Sequence, residues 1–222
     1  MRKLAFMVVS VIAIILLPQS TGAATIDVNG TAAMDGSYGL EVICNGVDTS
    51  GAYVQDDSPN AEATYRASFM FNPAQMAITQ TGFILDSRHF IFTVNGEHVN
   101  GTNVRVVGIY LLKKSGKYWL AAQGRNTAAG ATKTTPRIEL GDAGVENSPH
   151  LVEVEWQAAA IAGGYGVLRM RVDGGAWVEQ PTIKNYTQVA NIARLGIVIG
   201  LDVDSVGSHY YDDFQSFRTL AP

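Results

Sequence analysis

Trp119 and the planar polar side chains around it are residue types that bind sugars. Aromatic rings stack on pyranose rings, while amide and guanidinium groups hold hydroxyl or carboxylate groups in place. The candidate ligand-binding residues share this character and alternate with other residue types: Trp119, Gln123, Arg105, Arg125 and Arg66. They predict a glycan-binding surface on a β-sheet. The alternative is that a loop covers Trp119, which then only extends the hydrophobic core.

Glu153 and Glu155 offer a second chemistry. They stand two apart in a predicted strand, so their Cα atoms are ~6.5–7 Å apart on one face, a spacing that permits the two-carboxylate chemistry of glycosidases. The next strand can pair so that Arg169 faces Glu155 and Arg171 faces Glu153. Those arginines would hold both carboxylates ionised and leave no general acid. The sequence therefore favours ion pairs over a catalytic dyad.

Asp212 lies in an aromatic segment, 208–219, that has the pattern of a core strand. A carboxylate among buried aromatic residues is costly unless a partner satisfies it. One partner is a structural Ca²⁺ ion, which binds carboxylate and carbonyl oxygens, and Asp202 and Asp204 are the candidate further ligands. The alternative is that backbone N–H groups hold Asp212 without a metal. No zinc-ligand spacing occurs among the single cysteine and 4 histidines.

The first residues predict export. Two basic residues precede an apolar run over 4–17, and small residues around Ala23 provide a cleavage site. We expect residues 1–23 to be a signal peptide and residues 24–222 to form one secreted domain, extracellular or, in a Gram-negative cell, periplasmic. The apolar run is shorter than the ~20 residues of a transmembrane helix, so we expect no membrane insertion after cleavage.

The charge of the mature chain excludes some partners. Signal removal deletes Arg2 and Lys3 from the 16 basic residues and leaves 14 against 20 acidic ones, a net charge of −6. An acidic chain without basic clusters argues against nucleic acid and anionic membranes as partners. The only cysteine, Cys44, shares a predicted strand face with Val42 and is expected to be a buried thiol.

Alternating apolar residues and turn signals fill the rest of the chain, which is typical of an antiparallel β-sandwich. Thirteen segments are predicted as strands: 40–45, 51–55, 62–72, 83–86, 89–95, 103–113, 117–125, 136–140, 150–157, 165–173, 176–180, 192–201 and 207–219. A three-residue turn, 114–116, predicts a hairpin in which Lys113 pairs with Lys117. Arg105 and Trp119 then share one face of the hairpin.

Several short stretches together resemble a known superfamily. They are Gly36–Val42, Tyr53–Pro59, Glu62–Phe69, Pro149-His150 with Glu153 and Trp156, and Tyr210–Phe214. The series is similar to secreted bacterial domains of the concanavalin A-like lectin/glucanase superfamily, also called LamG-like jelly rolls, over residues 36–219. The resemblance implies an all-β fold, a two-sheet antiparallel jelly-roll sandwich with one concave sheet. The superfamily contains lectins, glycosidases, lyases and adhesion modules, so it implies no single activity.

Enzyme signatures of the superfamily are absent from the sequence. The segment 152–157 lacks two acidic residues of the laminarinase-like Glu-x-Asp-x-x-Glu motif, and the lyase signature Gln-Ile-His does not occur. We therefore expect a secreted, non-catalytic recognition or surface module that binds a polysaccharide or other glycan, with structural Ca²⁺ as the candidate cofactor. The alternatives are an extracellular polysaccharide-degrading enzyme, either glycosidase or lyase, and a structural or adhesion subunit.

Overall fold

The computed structural model describes residues 24–46, 51–74, 76–78, 88–97, 103–126, 131–199 and 205–221. The expected signal peptide, 1–23, and the strand expected at 83–86 lie outside these ranges. In the described part the regular structure consists of strands. That part contains no helix of the length and apolarity needed to cross a membrane.

Two antiparallel sheets of seven strands each build the described fold. The strands of the first sheet are β1 (Thr25–Asn29), β2 (Gly39–Asn45), β4 (Thr64–Asn72), β10 (His150–Gln157), β11 (Val167–Val172), β12 (Val178–Glu179) and β14 (Val206–Phe217). Those of the second are β3 (Ala52–Asp56), β5 (Arg88–Glu97), β6 (Asn103–Lys114), β7 (Lys117–Arg125), β8 (Thr132–Thr134), β9 (Ile138–Asp142) and β13 (Ile192–Ile199). The spatial orders are β1-β2-β14-β4-β10-β11-β12 and β3-β13-β5-β6-β7-β8, with β9 also paired to β7. The predicted all-β jelly-roll sandwich is confirmed.

The hydrophobic core lies between the sheets and follows the alternation of the strands. Its largest fully buried side chains include Trp156, Tyr65, Tyr118 and Tyr211. Cys44 belongs to the same core, and burial raises the pKa of its thiol to about 12. The prediction of a buried thiol is therefore confirmed.

The β6–β7 hairpin has a different register from the predicted one. Its turn has only two residues, Ser115 and Gly116, with φ of 52° and 76°, and Lys114 pairs with Lys117. Two positive φ values define the type I′ turn that matches strand twist. Since a one-residue slip moves every β6 side chain to the other face, Tyr110 and Leu112, not Leu111, share the outer face with Trp119. The predicted pairing of Lys113 with Lys117 was wrong.

Two β-bulges interrupt the pairing of β5 with β6. The register shifts between Phe90 and Phe92 and again between Val94 and Asn95, which leaves Ile91 and Val106 as the additional residues. Both of these residues are fully buried in the core. An extra residue reverses the alternation on one side of a bulge. As a result Arg105 points to the same outer face as Gly108.

The β10–β11 pair has the predicted register. Glu155 faces Arg169 and Glu153 faces Arg171. Nε of Arg169 lies 2.6 Å from Oε2 of Glu155, and Nε of Arg171 lies 2.5 Å from Oε2 of Glu153. The ion-pair ladder is confirmed.

A histidine from each sheet meets its counterpart inside the core. The rings of His89 on β5 and His209 on β14 are stacked, with centroids 5.0 Å apart and planes at 26°. Both residues are at most 1% exposed, and neither Nε2 has a hydrogen-bond partner in the described structure. Phe71 contacts His209 edge-on, and the Tyr211 hydroxyl lies 3.4 Å from its Nδ1.

Candidate functional site

A polar row crosses the outer face of the second sheet. Its members are direct neighbours in the strand register from β3 to β8: Gln55, Arg194, Thr93, Gly108, Gln123 and Thr134. Sequence neighbours such as Phe92, Val94 and Leu195 belong to the core. Because side chains alternate along a strand, the row points away from the core. We call this surface, with Arg88, Arg105, Arg125 and Arg194, the arginine face.

Arg105 dominates the middle of the arginine face. Its Nη2 donates to Oε1 of Gln123 at 3.3 Å, and its guanidinium carbon lies 3.7 Å from the centroid of the Phe90 ring. Its side chain passes over Gly108, where a Cβ atom would come within 2.9 Å of Cδ of Arg105. Because glycine has no side chain, the side chain of Arg105 can lie over this position.

The charged groups that the structure describes around Arg105 are two further arginines. Burial, and after it the charges of Arg88 and Arg125, lower its pKa to about 10. No carboxylate of the described residues contributes to the shift. A guanidinium that is partly desolvated beside two others favours an incoming anion.

Arg194 repeats this arrangement nearer the edge of the sheet. Its Nε donates to Oε1 of Gln55 at 2.9 Å, and its guanidinium carbon lies 4.8 Å from the centroid of the Tyr53 ring. Its described partners are thus a neutral amide and a neutral ring. Nε2 of the same Gln55 donates to the Asp57 carboxylate at 2.7 Å, so the described carboxylate of this chain of hydrogen bonds reaches Arg194 through the amide and not directly.

Two polar atoms of the arginine face are buried without a partner in the described structure. They are the hydroxyl of Thr93, a residue that is 1% exposed, and Nε of Arg125. Buried polar groups are normally hydrogen-bonded. Both atoms are shielded from solvent, so a ligand or water would reach them only after neighbouring side chains move.

The apolar part of the arginine face lies beside the polar row. It is a cluster separate from the core, made of Phe90, Tyr110, Leu112 and Ala121 with Trp119 packed at its edge. The guanidinium carbon of Arg88 lies 5.3 Å from the Tyr110 ring. Trp119 remains half-buried, and its indole N–H donates to the Lys114 carbonyl at 3.4 Å. It therefore offers part of one edge to a ligand.

The structure brings four of the five predicted ligand-binding residues to one face: Trp119, Gln123, Arg105 and Arg125. Arg66 does not join them. It lies on β4 of the first sheet, with its guanidinium carbon 4.1 Å from the Phe217 ring. The expected common surface was wrong for this residue, because β4 pairs with β10 and β14 and not with the arginine face.

Sequence reasoning missed the residues from β3, β5 and β13: Gln55, Tyr53, Arg88, Thr93 and Arg194. One signal was present. Arg194 is a single charge in the otherwise apolar run 192–199. A lone charge in a buried strand marks a position where one face meets solvent or a ligand.

Asp212 is satisfied by backbone amides in the described structure. Its Oδ2 accepts hydrogen bonds from the N–H groups of Met34 at 2.7 Å and Asp35 at 2.8 Å. Its Oδ1 accepts one from Asp213 at 2.8 Å. Asp202 and Asp204 lie outside the described residues, among which no cluster of three or more potential metal ligands occurs. The calcium site therefore stays a prediction.

A cavity of about 310 Å³ lies on the first sheet, lined by Arg169, Glu179, Gln180 and Leu220 among others. Its charges are already paired. Nη1 of Arg169 lies 3.6 Å from Glu179 Oε1, and Nε of the same arginine binds the fully buried Glu155. This pairing distinguishes the cavity from the arginine face. Because Glu155 is buried and paired with Arg169, the cavity gives no support to a catalytic role for Glu155.

The fold resembles that of several solved structures. No family model matches the chain, and no curated protein matches it. Among solved structures it is similar to an endo-β-1,4-glucuronan lyase from the fungus Trichoderma reesei, with a TM-score of 0.58 and 10% identity over 89% of this chain and 88% of that chain. An alginate lyase from Pseudomonas aeruginosa gives a TM-score of 0.53 and 13% identity over 81% and 82%. The cellulose-induced protein Cip1 gives 0.56 and 12% over 91% and 89%. At these identities the likeness shows the fold, a concanavalin A-like jelly-roll sandwich.

Proposed function

We propose that the arginine face binds a polysaccharide of uronic acid units and that the protein cleaves it by β-elimination, as a polysaccharide lyase. The observation that carries this proposal is the environment of Arg105, which is partly buried, bound to a neutral amide and close to two other arginines. A carboxylate from a ligand would balance this charge through charge-assisted hydrogen bonds. Further support comes from two of the similar structures, which are named as lyases of glucuronan and alginate. They favour cleavage over the simple recognition expected from the sequence.

The face offers groups for each part of the reaction. A base removes the proton next to the uronate carboxylate, the bond to the glycosidic oxygen breaks, and that oxygen takes up a proton, which leaves a double bond in the new terminal sugar. Arg194, which lies over the Tyr53 ring, would stabilise the negative charge that develops at the carboxylate of the reacting sugar. Tyr53 is the candidate for proton transfer, because it is partly exposed and lies beside Arg194.

The second candidate is binding of the same polymers without cleavage. One observation favours it: Tyr110, the other described phenol on this face, is only 2% exposed beneath Arg88, and the described residues of the face contain no histidine. The face would then select acidic glycans through its arginines and the edge of Trp119.

One experiment separates the two functions. The protein is incubated with polyglucuronate, with alginate and with a neutral glucan, while ultraviolet absorbance records unsaturated uronate and a gel-shift assay records binding. We expect absorbance to rise with an acidic polymer alone, about tenfold or more slowly for Arg105→Gln and not at all for Tyr53→Phe. Arg218→Gln is the control, because it removes the same charge from a residue outside the arginine face, which is bonded to Ser58 and Ser216 and lies 3.6 Å from Oε1 of Glu62.

Each outcome assigns a function. Binding without absorbance supports the recognition module, and cleavage that survives Tyr53→Phe removes Tyr53 from the reaction. Failure to bind any acidic polymer refutes both functions. Export through the signal peptide 1–23 is part of the proposal and is tested by N-terminal sequencing of protein from the culture medium, where an N-terminus other than Ala24 or Thr25 would contradict it.

A further inference from the structure

Two arginines of the arginine face share one local arrangement. Each donates a hydrogen bond to a glutamine of the next strand and lies over an aromatic ring. We call them the inner module (Arg105, Gln123, Phe90) and the edge module (Arg194, Gln55, Tyr53).

The spacing of the two modules follows from the strand order. Arg105 lies on β6 and Arg194 on β13, and only β5 separates these strands. Neighbouring strands are ~4.8 Å apart, so the strands that carry the two arginines are ~9.6 Å apart. The Arg194 guanidinium bonds to β3, on the side away from β5, so the charged groups are about 10–15 Å apart. Thr93 of β5, with its unpartnered hydroxyl, lies between them.

The partners in the modules orient the arginines without neutralising them. A glutamine oxygen fixes the planar guanidinium and keeps its charge, whereas a carboxylate would cancel it. The first sheet shows the contrast, because Arg169 and Arg171 there pair with Glu155 and Glu153. Arg169 and Arg171 of the first sheet thus pair with carboxylates, whereas Arg105 and Arg194 of the second sheet pair with amides. Only the second arrangement leaves two oriented cations.

We propose that the two modules bind two acidic groups of one polysaccharide chain at the same time. The preferred ligand is then a chain that runs across the strands and carries carboxylates separated by about two strand spacings or slightly more. Shorter oligosaccharides occupy one module only. This inference rests on the proposed function and adds to it a minimum ligand length and the second recognition point, Arg194.

The test measures affinity against ligand length. Size-defined oligouronates from dimer to octamer, prepared from polyglucuronate and from alginate, are titrated calorimetrically against the wild type, Arg194→Gln and the control Arg218→Gln. In the wild type and the control, we expect affinity to rise about tenfold or more once an oligomer reaches both modules, because the second contact is intramolecular. In Arg194→Gln that rise should disappear, while affinity for the dimer changes by less than about threefold. Thermal unfolding of each variant verifies that it is folded.

The outcomes distinguish this inference from the function on which it rests. If Arg194→Gln keeps the full rise with length, the two-module inference is wrong while acidic-glycan binding stands. A uniform loss at all lengths also overturns it, since Arg194 would then act on every ligand. If the wild type binds no oligouronate of any length, both proposals fail.

Discussion

The stacked histidines in the core predict a strong loss of stability in mild acid. Burial lowers the pKa of His89 to about 4. Burial, and then the neighbouring His89, lowers the pKa of His209 well below its usual value. In the unfolded chain both imidazoles return to the ordinary value of 6.5. Below that pH the unfolded chain binds protons that the buried histidines of the folded protein do not bind, so the free energy of unfolding falls as the pH falls.

The size of the effect follows from these pKa values. Below pH 6.5 an unfolded histidine binds a proton that the folded one does not yet bind. From pH 6.5 to pH 5 this difference extends over about 1.5 pH units, and each unit lowers the free energy of unfolding by about 1.36 kcal/mol. Each of the two thus removes roughly 2 kcal/mol from the free energy of unfolding, and the pair removes roughly 4 kcal/mol. That is a large part of the ~5–15 kcal/mol that stabilises a typical domain. For His89 the loss levels off near pH 4, where the folded state also binds its proton.

Urea unfolding at half-unit steps between pH 7.5 and pH 5 measures this loss directly. His209→Phe replaces one imidazole with a ring that can pack on Phe71, and we expect it to reduce the loss to roughly 2 kcal/mol. Adding His89→Leu should make the curve nearly flat. Phe71→Leu serves as the control: it should lower stability by about 1 kcal/mol at every pH without changing the slope.

A double variant that still loses roughly 4 kcal/mol between pH 7.5 and pH 5 would refute the reasoning, because the protons would then bind elsewhere. An unchanged slope in His209→Phe alone would assign the whole effect to His89. Either result is read from the same set of curves.

Two further predictions concern Gly108 and Asp212. Gly108→Ala should weaken binding of an acidic polysaccharide about tenfold, because the new Cβ would lie 2.7 Å from Phe90 and 2.9 Å from Arg105; calorimetric affinity equal to that of the wild type would show that the guanidinium can move without loss. Asp212→Ala should reduce the free energy of unfolding by about 2–4 kcal/mol, because backbone N–H groups lose a charged acceptor. Thermal melting of the wild type with and without chelator tests the calcium site. We expect an unchanged midpoint if amides alone hold Asp212, whereas a lower midpoint in chelator would support a metal ion bound there.

Local pairing was predictable where charge pattern and strand period agree. The alternation of Glu153 and Glu155 with apolar residues, opposite Arg169 and Arg171, admits one register that satisfies all four charges, and the structure has it. The β6–β7 register was not predictable in the same way. Ser115 adopts a positive φ of 52°, which residues other than glycine rarely do, so a three-residue turn was the simpler hypothesis.

Only part of the candidate site could be predicted from the sequence, because the site joins segments that are far apart along the chain. Trp119 and Gln123 alternate along β7 and could be placed on one face from the sequence. Arg105 joins them because the extra residue Val106 offsets the one-residue error in the predicted register. Arg194 and Thr93 reach the same row because β13 lies beside β5. That neighbourhood is set by the strand order of the sheet, and local pattern carries no information about it.

The bulge at Val106 has a consequence for how this chain can vary over generations. A single-codon deletion of Val106 would return β6 to strict alternation and leave Arg105 opposite Asn95 on the outer face. The deletion would cost only the burial of the Val106 side chain in the core. Homologues with and without this codon can therefore both keep the arginine on the outer face, although their strands differ in length by one residue.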